Sequence, residues 1–468
     1  MTNTRSNMFD ATDSVIVIGV GRSGLATAEV LRARGASVVA FDDKPPEKLN
    51  RERDVLAKLG VPLLASGELA KAIGAATGAV LSPGVPLNHP AVLAISRAGV
   101  PVYSEIEVAY RLCDAPIIAV TGSKGKSTTT ALIGHLLRAD GRKVHVGGNI
   151  GDPLITKTVA AGHDDWVVAE VSSFQLESIR EFRPRISVLL NLSPDHLDRY
   201  PSMEEYGEAK YRIFANQGDG DVFVGNMDDE TGARLRAGVR TIPCKTLWFS
   251  LSGQQGADAF YRDGMLHWRG DGVRPDGELI AARELHLRGA HNIENALAAS
   301  LAALAAGASV RAVRDGLRSF LPLPHRLQPI ANADGISWID DSKATNPDAV
   351  VKAIDAFDEP IVLIAGGKPK NTEFGSMCSA ISKRVKAAVL IGESAQLIGR
   401  ALRGPLVAYA KSMDEAVEAA FGLAKSGDVV LLSPGCASFD MFDSAEQRGE
   451  KFAAAVKGRV EGNGVRAG

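Results

Sequence analysis

The chain has 468 residues, more than one hydrophobic core supports, which predicts two to four domains. Apolar residues make up 45% and charged residues 23%, as in ordinary globular proteins, and a formal net charge of -2 excludes a basic nucleic-acid surface and an acidic tail. No run of 18 apolar residues occurs, the stretch "MTNTRSNMFDATD" lacks the apolar core of a signal peptide, and Cys113, Cys244, Cys378 and Cys436 show no CxxC spacing. The expectation is a cytoplasmic protein, with no membrane or nucleic-acid partner.

In chain order, "SVIVIGV" is a β-branched apolar run, the pattern of a buried parallel strand. It enters "GVGRSGLATAEVLRARGASVVAFDD", where helical apolar spacing leads to a second strand, "ASVVAFDD". "GAVLSPGVP" reads as a third strand running into a loop, and "SEIEVAYRLCDAP" leads to a fresh strand at Pro116. The first boundary falls near Ala115. The next region holds the strands "APIIAV", "WVVAEVS" and "ISVLLNLSPDH". It closes on the helix in "HNIENALAASLAALAAG", with Gly289 and Gly307 as start and stop signals. "SFLPLPHRLQPI" is a proline-punctuated linker near Leu321. Beyond it, "GISWIDD", "PIVLIAGG", "AAVLIG" and "DVVLLSPG" are strands, and "NPDAVVKAIDAF" and "MDEAVEAAFGLA" are helices. The prediction is an α/β chain of three domains in series. They are a Rossmann-like N-terminal domain (1–115), a central P-loop ATPase-type domain (116–321) and a C-terminal doubly wound domain (322–468).

"GVGRSG", Gly19 to Gly24, fits GxGxxG between a strand and a helix, with Asp42 and Asp43 about 20 residues on. Close backbone approach and a helix N-terminus suit a dinucleotide, but equally a UDP-linked substrate, and a tight turn alone also needs glycine. "GSKGKST", Gly122 to Thr128, carries the GK[ST] core of a phosphate loop. The longer form would need glycine at 120, where Val120 stands. The N–H groups of Ser123, Lys124 and Gly125 are expected to face an anion. Lys126 reaches the β- and γ-phosphates, and the Ser127 hydroxyl ligates Mg²⁺. A nucleotide loop leaves the destination of the phosphate open between water, a hydroxyl and a carboxylate.

Mg²⁺ calls for hard oxygen donors at strand ends. Glu170 ends the strand of "VVAEVSS", and His196 follows "ISVLL" beside Asp195 and Asp198. A buried unpaired carboxylate is unfavourable, and a metal relieves that.

Together the stretches "GVGRSGLA", "LSPGVP", "TGSKGKST", "GGNIG", "AEVSSFQLE", "NLSPDHLDRY", "YGEAK", "GAHNIENALAA", "DDSKATN", "AGGKPKNTEF" and "LLSPGCASFDMF" resemble the Mur ligases in order and spacing. These are ATP-dependent amide-forming enzymes of bacterial cell-wall precursor synthesis. The resemblance covers essentially the whole chain. It implies that ATP phosphorylates a substrate carboxylate and that an amino acid's amine attacks the acyl phosphate through a tetrahedral intermediate. No protein nucleophile is needed, so the protein positions groups and neutralises charge.

By the same resemblance Lys126, Glu170, His196 and Lys210 are the catalytic set. Lys210 is read as a lysine carbamylated by CO₂, and Ser127, Glu170, His196 and Lys210 as holders of Mg²⁺, with two ions expected. Read alone, Lys210 is a helix lysine facing water. Gly122 to Thr128, Asn292, Asn295, Arg326, Asp341 and Lys343 are implied ATP contacts. Arg22, Ser23, Asp42, Asp43, Lys44, Ser82, Gly84 and Asn149 are implied contacts of a UDP-N-acetylmuramoyl-L-alanine substrate. Thr345, Lys370, Ser438 and Phe439 are implied contacts of D-glutamate, Lys370 being the natural partner for a carboxylate. The absence of "DNPR", the mark of the diaminopimelate- or lysine-adding relatives, argues for glutamate. Two departures stand out: Arg22 puts a large cation inside the first glycine loop, and Ala445 stands where an aromatic residue is expected. A monomer is expected. A sister ligase with another acceptor, or a nucleotide-switched P-loop binding protein, is the alternative; the latter leaves Lys370, Ser438 and the first glycine loop without a use.

Overall fold

The computed structural model describes residues 9–65, 67–196, 199–270, 276–369 and 373–464. By internal packing the chain divides into two compact units, Met1–Ala282 with Glu294–Arg318, and Arg283–Ile293 with Ser319–Gly468. The helix Ala290–Ala305 begins in the second unit and continues in the first.

The first unit carries two sheets. The N-terminal one has the strand order Ser37–Phe41, Ser14–Ile18, Gly78–Leu81, Val102–Ser104, all parallel. Its centre is apolar on both faces, with Val15, Ile16, Val17 and Ile18 fully buried, because helices cover both sides. The larger sheet runs Val144–Gly148, Trp166–Glu170, Ile117–Thr121, Ile186–Leu189, Val222–Asn226, Lys245–Ser250, Ala259–Arg262, Met265–Trp268, Gly277–Ala281. It is parallel through Ala259–Arg262 and ends in an antiparallel meander. The sequence reading names three of these strands, Ile117–Thr121, Trp166–Glu170 and Ile186–Leu189; the others include glycine-ended runs such as Val144–Gly148 and partly exposed ones such as Ala259–Arg262.

The helix Glu105–Arg111 follows the last strand of the first sheet and leads into the larger one. Glu107, fully buried, takes the N–H groups of Arg180, Glu181 and Phe182 at 2.9–3.1 Å and the Arg111 Nε–H at 2.8 Å. One carboxylate therefore satisfies three backbone donors of a loop in the larger sheet's layer.

The second unit holds a sheet in the order Gln328–Ala333, Ile336–Asp340, Val429–Leu432, Ile361–Gly366, Val385–Ile391, Leu406–Tyr409. The first pair is antiparallel and the rest parallel. Pro347–Ile354 and Met413–Leu423 are helices, at the positions their periodicity predicts. Among the described residues no helix is long and apolar enough to cross a membrane.

Removing the Glu107 carboxylate takes the acceptor from three backbone N–H groups, that of Phe182 buried, and leaves Arg111 with Glu181 at 3.0 Å. We expect Glu107→Ala to lower the unfolding free energy of the first unit by about 3–5 kcal/mol. Denaturant titration checks this, and a loss under about 1 kcal/mol would show the clasp to be dispensable.

Candidate active site

Parallel strands release their loops at carboxyl ends, and the register of the larger sheet sets which loops meet. Val120 pairs with Glu170 and Thr121 with Leu189, so the glycine loop after Thr121, the acid ending the next strand and the loop after Leu189 start level. Gly122 and Gly125 take left-handed φ values of +147° and +86°, and Lys126 begins the helix Lys126–Ala139. A Cβ on Gly125 would lie 2.3 Å from Asn295 Oδ1, so glycine is required there by both conformation and space.

The loop is braced from within. Asn191, second after the neighbouring strand, accepts the Ser123 N–H at its carbonyl and the Lys124 N–H at Oδ1, both at 2.9 Å, and returns its amide to Lys124 O at 3.1 Å. These two N–H groups thus turn toward Asn191, not outward to an anion as the sequence reading expected. The Ser123 hydroxyl bonds Ser193 O and N and meets the Tyr206 hydroxyl at 3.2 Å. Lys124 pairs with Asp195 at 3.4 Å. Ser127 is half-buried and Thr128 buried in the first turn of the helix.

Two cations converge on one carbonyl. Lys126 Nζ donates to Gly122 O at 2.9 Å and Ser123 O at 3.0 Å, and Lys210 Nζ donates to the same Gly122 O at 3.0 Å. Lys210, on the helix Met203–Tyr211, is 1% exposed and lies 4.7 Å from the Tyr206 ring centre. Burial, then repulsion from the Lys126 ammonium, pulls its pKa down to about 7, against the pull of Asp195 and Glu170. It is therefore not the solvated helix lysine that its local sequence suggests.

Glu170 is 3% exposed. Its Oε1 accepts the Asn149 side-chain amide at 2.7 Å, while Oε2 is buried without a hydrogen bond. His196 has a left-handed φ of +54° and an exposed imidazole edge-on to Phe174, with ring centres 4.8 Å apart. Asp198 lies outside the described residues. Among the described residues no three His, Cys, Asp or Glu side chains cluster to hold a metal.

The first glycine loop is also self-braced. Gly19 has φ +84°, and a Cβ on Gly24 would fall 1.9 Å from Gly19 O. The Ser82 hydroxyl donates to Gly19 O at 2.7 Å. Asp42 accepts the Val20 N–H at 2.9 Å and the Lys44 N–H at 3.0 Å, so it shapes the loop. Asp43 bonds His89 at 2.5 Å. Exposed Arg22 donates to Gly151 O at 2.5 Å and pairs with Asp152 at 3.7 Å, which ties this loop to "GGNIG". Ser23 is half-buried beside it, and Gly84 is exposed.

In the second unit the loops after Asp340, Gly366 and Leu432 meet at the sheet's carboxyl end. Asp341, buried, accepts Ser433 Oγ–H at 3.0 Å and Leu327 N–H at 3.3 Å; burial lifts its pKa to about 7. Lys343 pairs with Glu446. Arg326 is exposed, between His325 and Leu327 at φ +62° and +47°. Thr345 is half-buried, Ser438 is 2% exposed and Phe439 is 68% exposed. Lys370 lies outside the described residues. Asn292 donates to Arg288 O at 2.7 Å, whereas Asn295 accepts from Thr129 Oγ1 at 3.1 Å beneath the phosphate loop.

The sequence reading missed Arg448. Its buried guanidinium bonds Ser342 Oγ at 2.9 Å, Ser342 O at 2.8 Å and Cys436 O at 3.1 Å, cross-bracing "DDSK" and "SPGCAS". Its arginine in a helix gave no local signal. At Ala445 the contact is a backbone one, Ser342 Oγ–H to Ala445 O at 2.7 Å, which makes no demand on side-chain size.

Three family models match: the Mur ligase MurD-like N-terminal domain over residues 13–104, the Mur ligase middle domain over 120–303 and the Mur ligase glutamate ligase domain over 325–436. A UDP-N-acetylmuramoylalanine--D-glutamate ligase of Pelotomaculum thermopropionicum is 46% identical over 94% of this chain and 96% of its own. One of Acidobacterium capsulatum is 43% identical over 94% and 95%. Among solved structures, a UDP-N-acetylmuramate-alanine ligase of Thermotoga maritima superposes with a TM-score of 0.60 at 20% identity, covering 96% of this chain and 100% of that one. The MurF ligase of Thermotoga maritima, solved with ADP, gives 0.59 at 17% over 90% and 95%. At these identities the likeness to the two structures speaks to fold.

For Gly125→Ala, the left-handed backbone and the contact with Asn295 predict a roughly tenfold or greater loss of affinity for a non-hydrolysable ATP analogue. Calorimetric titration of a variant with unchanged circular dichroism measures this. Unchanged affinity would separate the loop's shape from nucleotide binding.

Proposed function

The chain belongs to the Mur ligase family, and from that premise we propose that it joins D-glutamate to UDP-N-acetylmuramoyl-L-alanine while ATP becomes ADP and phosphate. The near-complete match to D-glutamate ligases supports the substrate pair, and the "DNPR" of diaminopimelate- or lysine-adding relatives is absent. The observation that carries the chemistry is buried Lys210, held beside Lys126 on Gly122 O.

The precursor's terminal carboxylate is a poor electrophile. One of its oxygens attacks the γ-phosphorus of ATP, the bond to the β-phosphate oxygen breaks and ADP leaves. The amine of D-glutamate then adds to the acyl carbon, loses a proton, and expels phosphate as the tetrahedral intermediate collapses. The roles we assign are positional. Gly122 to Thr128 hold the triphosphate, with Lys126 on its outer phosphates. Asn295 supports that loop, and Asn292, Arg326, Asp341 and Lys343 serve the nucleotide. Arg22, Ser23, Asp42, Asp43, Lys44, Ser82, Gly84 and Asn149 shape the precursor site. For Asp42 and Ser82 the support is indirect, since both bond loop backbone. Thr345, Lys370, Ser438 and Phe439 serve D-glutamate.

Mg²⁺ fits the residues present. The idle buried Oε2 of Glu170 is an oxygen donor without a partner, and a lysine amine depressed to about 7 can react as a neutral nucleophile with CO₂. In that step the nitrogen bonds the carbon, one C=O pair moves to oxygen and a proton leaves. Ser127, Glu170, His196 and carbamylated Lys210 would hold the metal, which when bound neutralises phosphate charge. The matched family spans support domain limits at 1–115, 116–321 and 322–468. The oligomeric state we assign is a monomer, and ATP with a nucleotide-linked precursor suits the cytoplasm.

Phosphate release measured with the precursor and a panel of amino acids tests the reading. We expect turnover to require both the precursor and D-glutamate; equal turnover without either would contradict it. We also expect Lys210→Ala to lower activity by roughly 100-fold or more, with a short carboxylic acid partly restoring it. Full activity in that variant would remove the carbamate.

A further inference from the structure

The helix Glu105–Arg111 opens with a second buried carboxylate that the reaction does not use. Glu105 is 1% exposed. Its Oε1 accepts the Ile155 N–H at 2.7 Å, and its Oε2 is buried without a hydrogen bond. Burial raises its pKa to about 7, opposed by the N–H groups of Ile155 and Leu154 and by the Gln175 side chain. A buried acid that leaves one oxygen idle is unfavourable unless its other oxygen has a use. Anchoring of this helix is already supplied by Glu107, whose carboxylate is fully used.

What distinguishes Glu105 is the loop it holds. Ile155 is the second residue of the helix Leu154–Ala160, which follows residues 148–153 at the end of a strand beside Glu170. That loop has two further tethers. Asn149 bonds Glu170 twice, N–H to the backbone O at 2.9 Å and side-chain amide to Oε1 at 2.7 Å. Gly151 O and Asp152 meet Arg22 of the first glycine loop. The turn itself closes through Gly148 N–H to Asp152 O at 2.8 Å, and a Cβ on Gly148 would fall 2.3 Å from Glu170 O. So one short loop links the first glycine loop to the acid beside the phosphate loop, and Glu105 fixes its far end.

We propose that Glu105 is a positioning residue for the UDP-precursor. By holding the Ile155 N–H it sets loop 148–153, and through that loop it sets Arg22 and Asn149 relative to Glu170. This rests on the ligase reading above. Among the roles assigned above, residues 148–153 carry a precursor contact, Asn149, and no direct contact of ATP or D-glutamate, so the effect is expected to fall first on the precursor.

The test is steady-state kinetics of the full chain, with ATP, precursor and D-glutamate varied in turn. Glu105→Ala is expected to raise the KM for precursor by about tenfold, while the other two KM values stay within about twofold. Glu105→Gln keeps an acceptor for the Ile155 N–H and is expected to return the precursor KM to within about threefold of the original. A fall in kcat with unchanged precursor KM, an equal rise of all three KM values, or a Gln variant no better than Ala would overturn the proposal, since each is what a merely structural role gives. If the Ala variant does not fold, Glu105→Asp, shorter by one methylene, replaces it. Precursor KM must then rise with Asp and not with Gln, and equal values overturn the proposal. Absence of precursor-dependent turnover in the unaltered protein overturns the ligase reading itself, and is seen before any variant is compared.

Discussion

Two lysines donating to one carbonyl is the constraint on which the site depends. Lys126 and Lys210 both reach Gly122 O, at 2.9 and 3.0 Å, and Lys210 is almost wholly buried. Two ammonium groups so placed repel each other, and burial removes the water that would screen them. Burial and this repulsion ease loss of the Lys210 proton, its pKa being drawn down to about 7. A neutral amine is a nucleophile toward CO₂, whereas an ammonium is not. The loop's shape, the hydroxyl of Tyr206 and the clamp of Asn191 all serve to keep Gly122 O where both lysines meet it.

The parallel sheet supplies that geometry without special strain in the strands. Glu170, Thr121 and Leu189 end neighbouring strands in register, so their loops emerge on one edge. Positive φ values lie at or just beyond the strand ends, at Gly122, Gly125, Gly148 and His196, of which His196 is the one non-glycine. These restrictions gather at the carboxyl edge of the sheet, while fully buried strands such as Ile117–Thr121 carry the stability. In the second unit the same arrangement recurs with different chemistry. There a buried arginine, Arg448, ties two loops, and Asp341 is held near neutrality in its protonation by burial.

Much of this was legible in the sequence because it has a local signature. Short β-branched runs marked the strands, the two glycine loops marked strand-to-helix turns, and Gly289 and Gly307 take the left-handed φ of +90° expected of glycines bounding a helix. Glu170 was legible as an acid closing an apolar run. What was not legible depends on contacts far apart in sequence. Asn191 sits 67 residues from Lys124, and Arg448 sits 106 from Ser342. The buried state of Lys210 is likewise invisible in "YGEAK", since it is set by Tyr206 on its own helix and by Gly122 O, 88 residues away. Asp42, read as part of the second strand, follows it directly, and its carboxylate accepts the Val20 and Lys44 N–H groups, contacts with no local signature.

Transfer of the ATP γ-phosphate to the precursor's carboxylate is the central claim, and oxygen isotope transfer tests it most directly. With precursor labelled by ¹⁸O in its terminal carboxylate, turnover with ATP and D-glutamate should release inorganic phosphate carrying one ¹⁸O atom, the oxygen that bridged acyl carbon and phosphorus. Phosphate free of label under the same turnover would contradict the acyl phosphate and send the phosphoryl group to water instead.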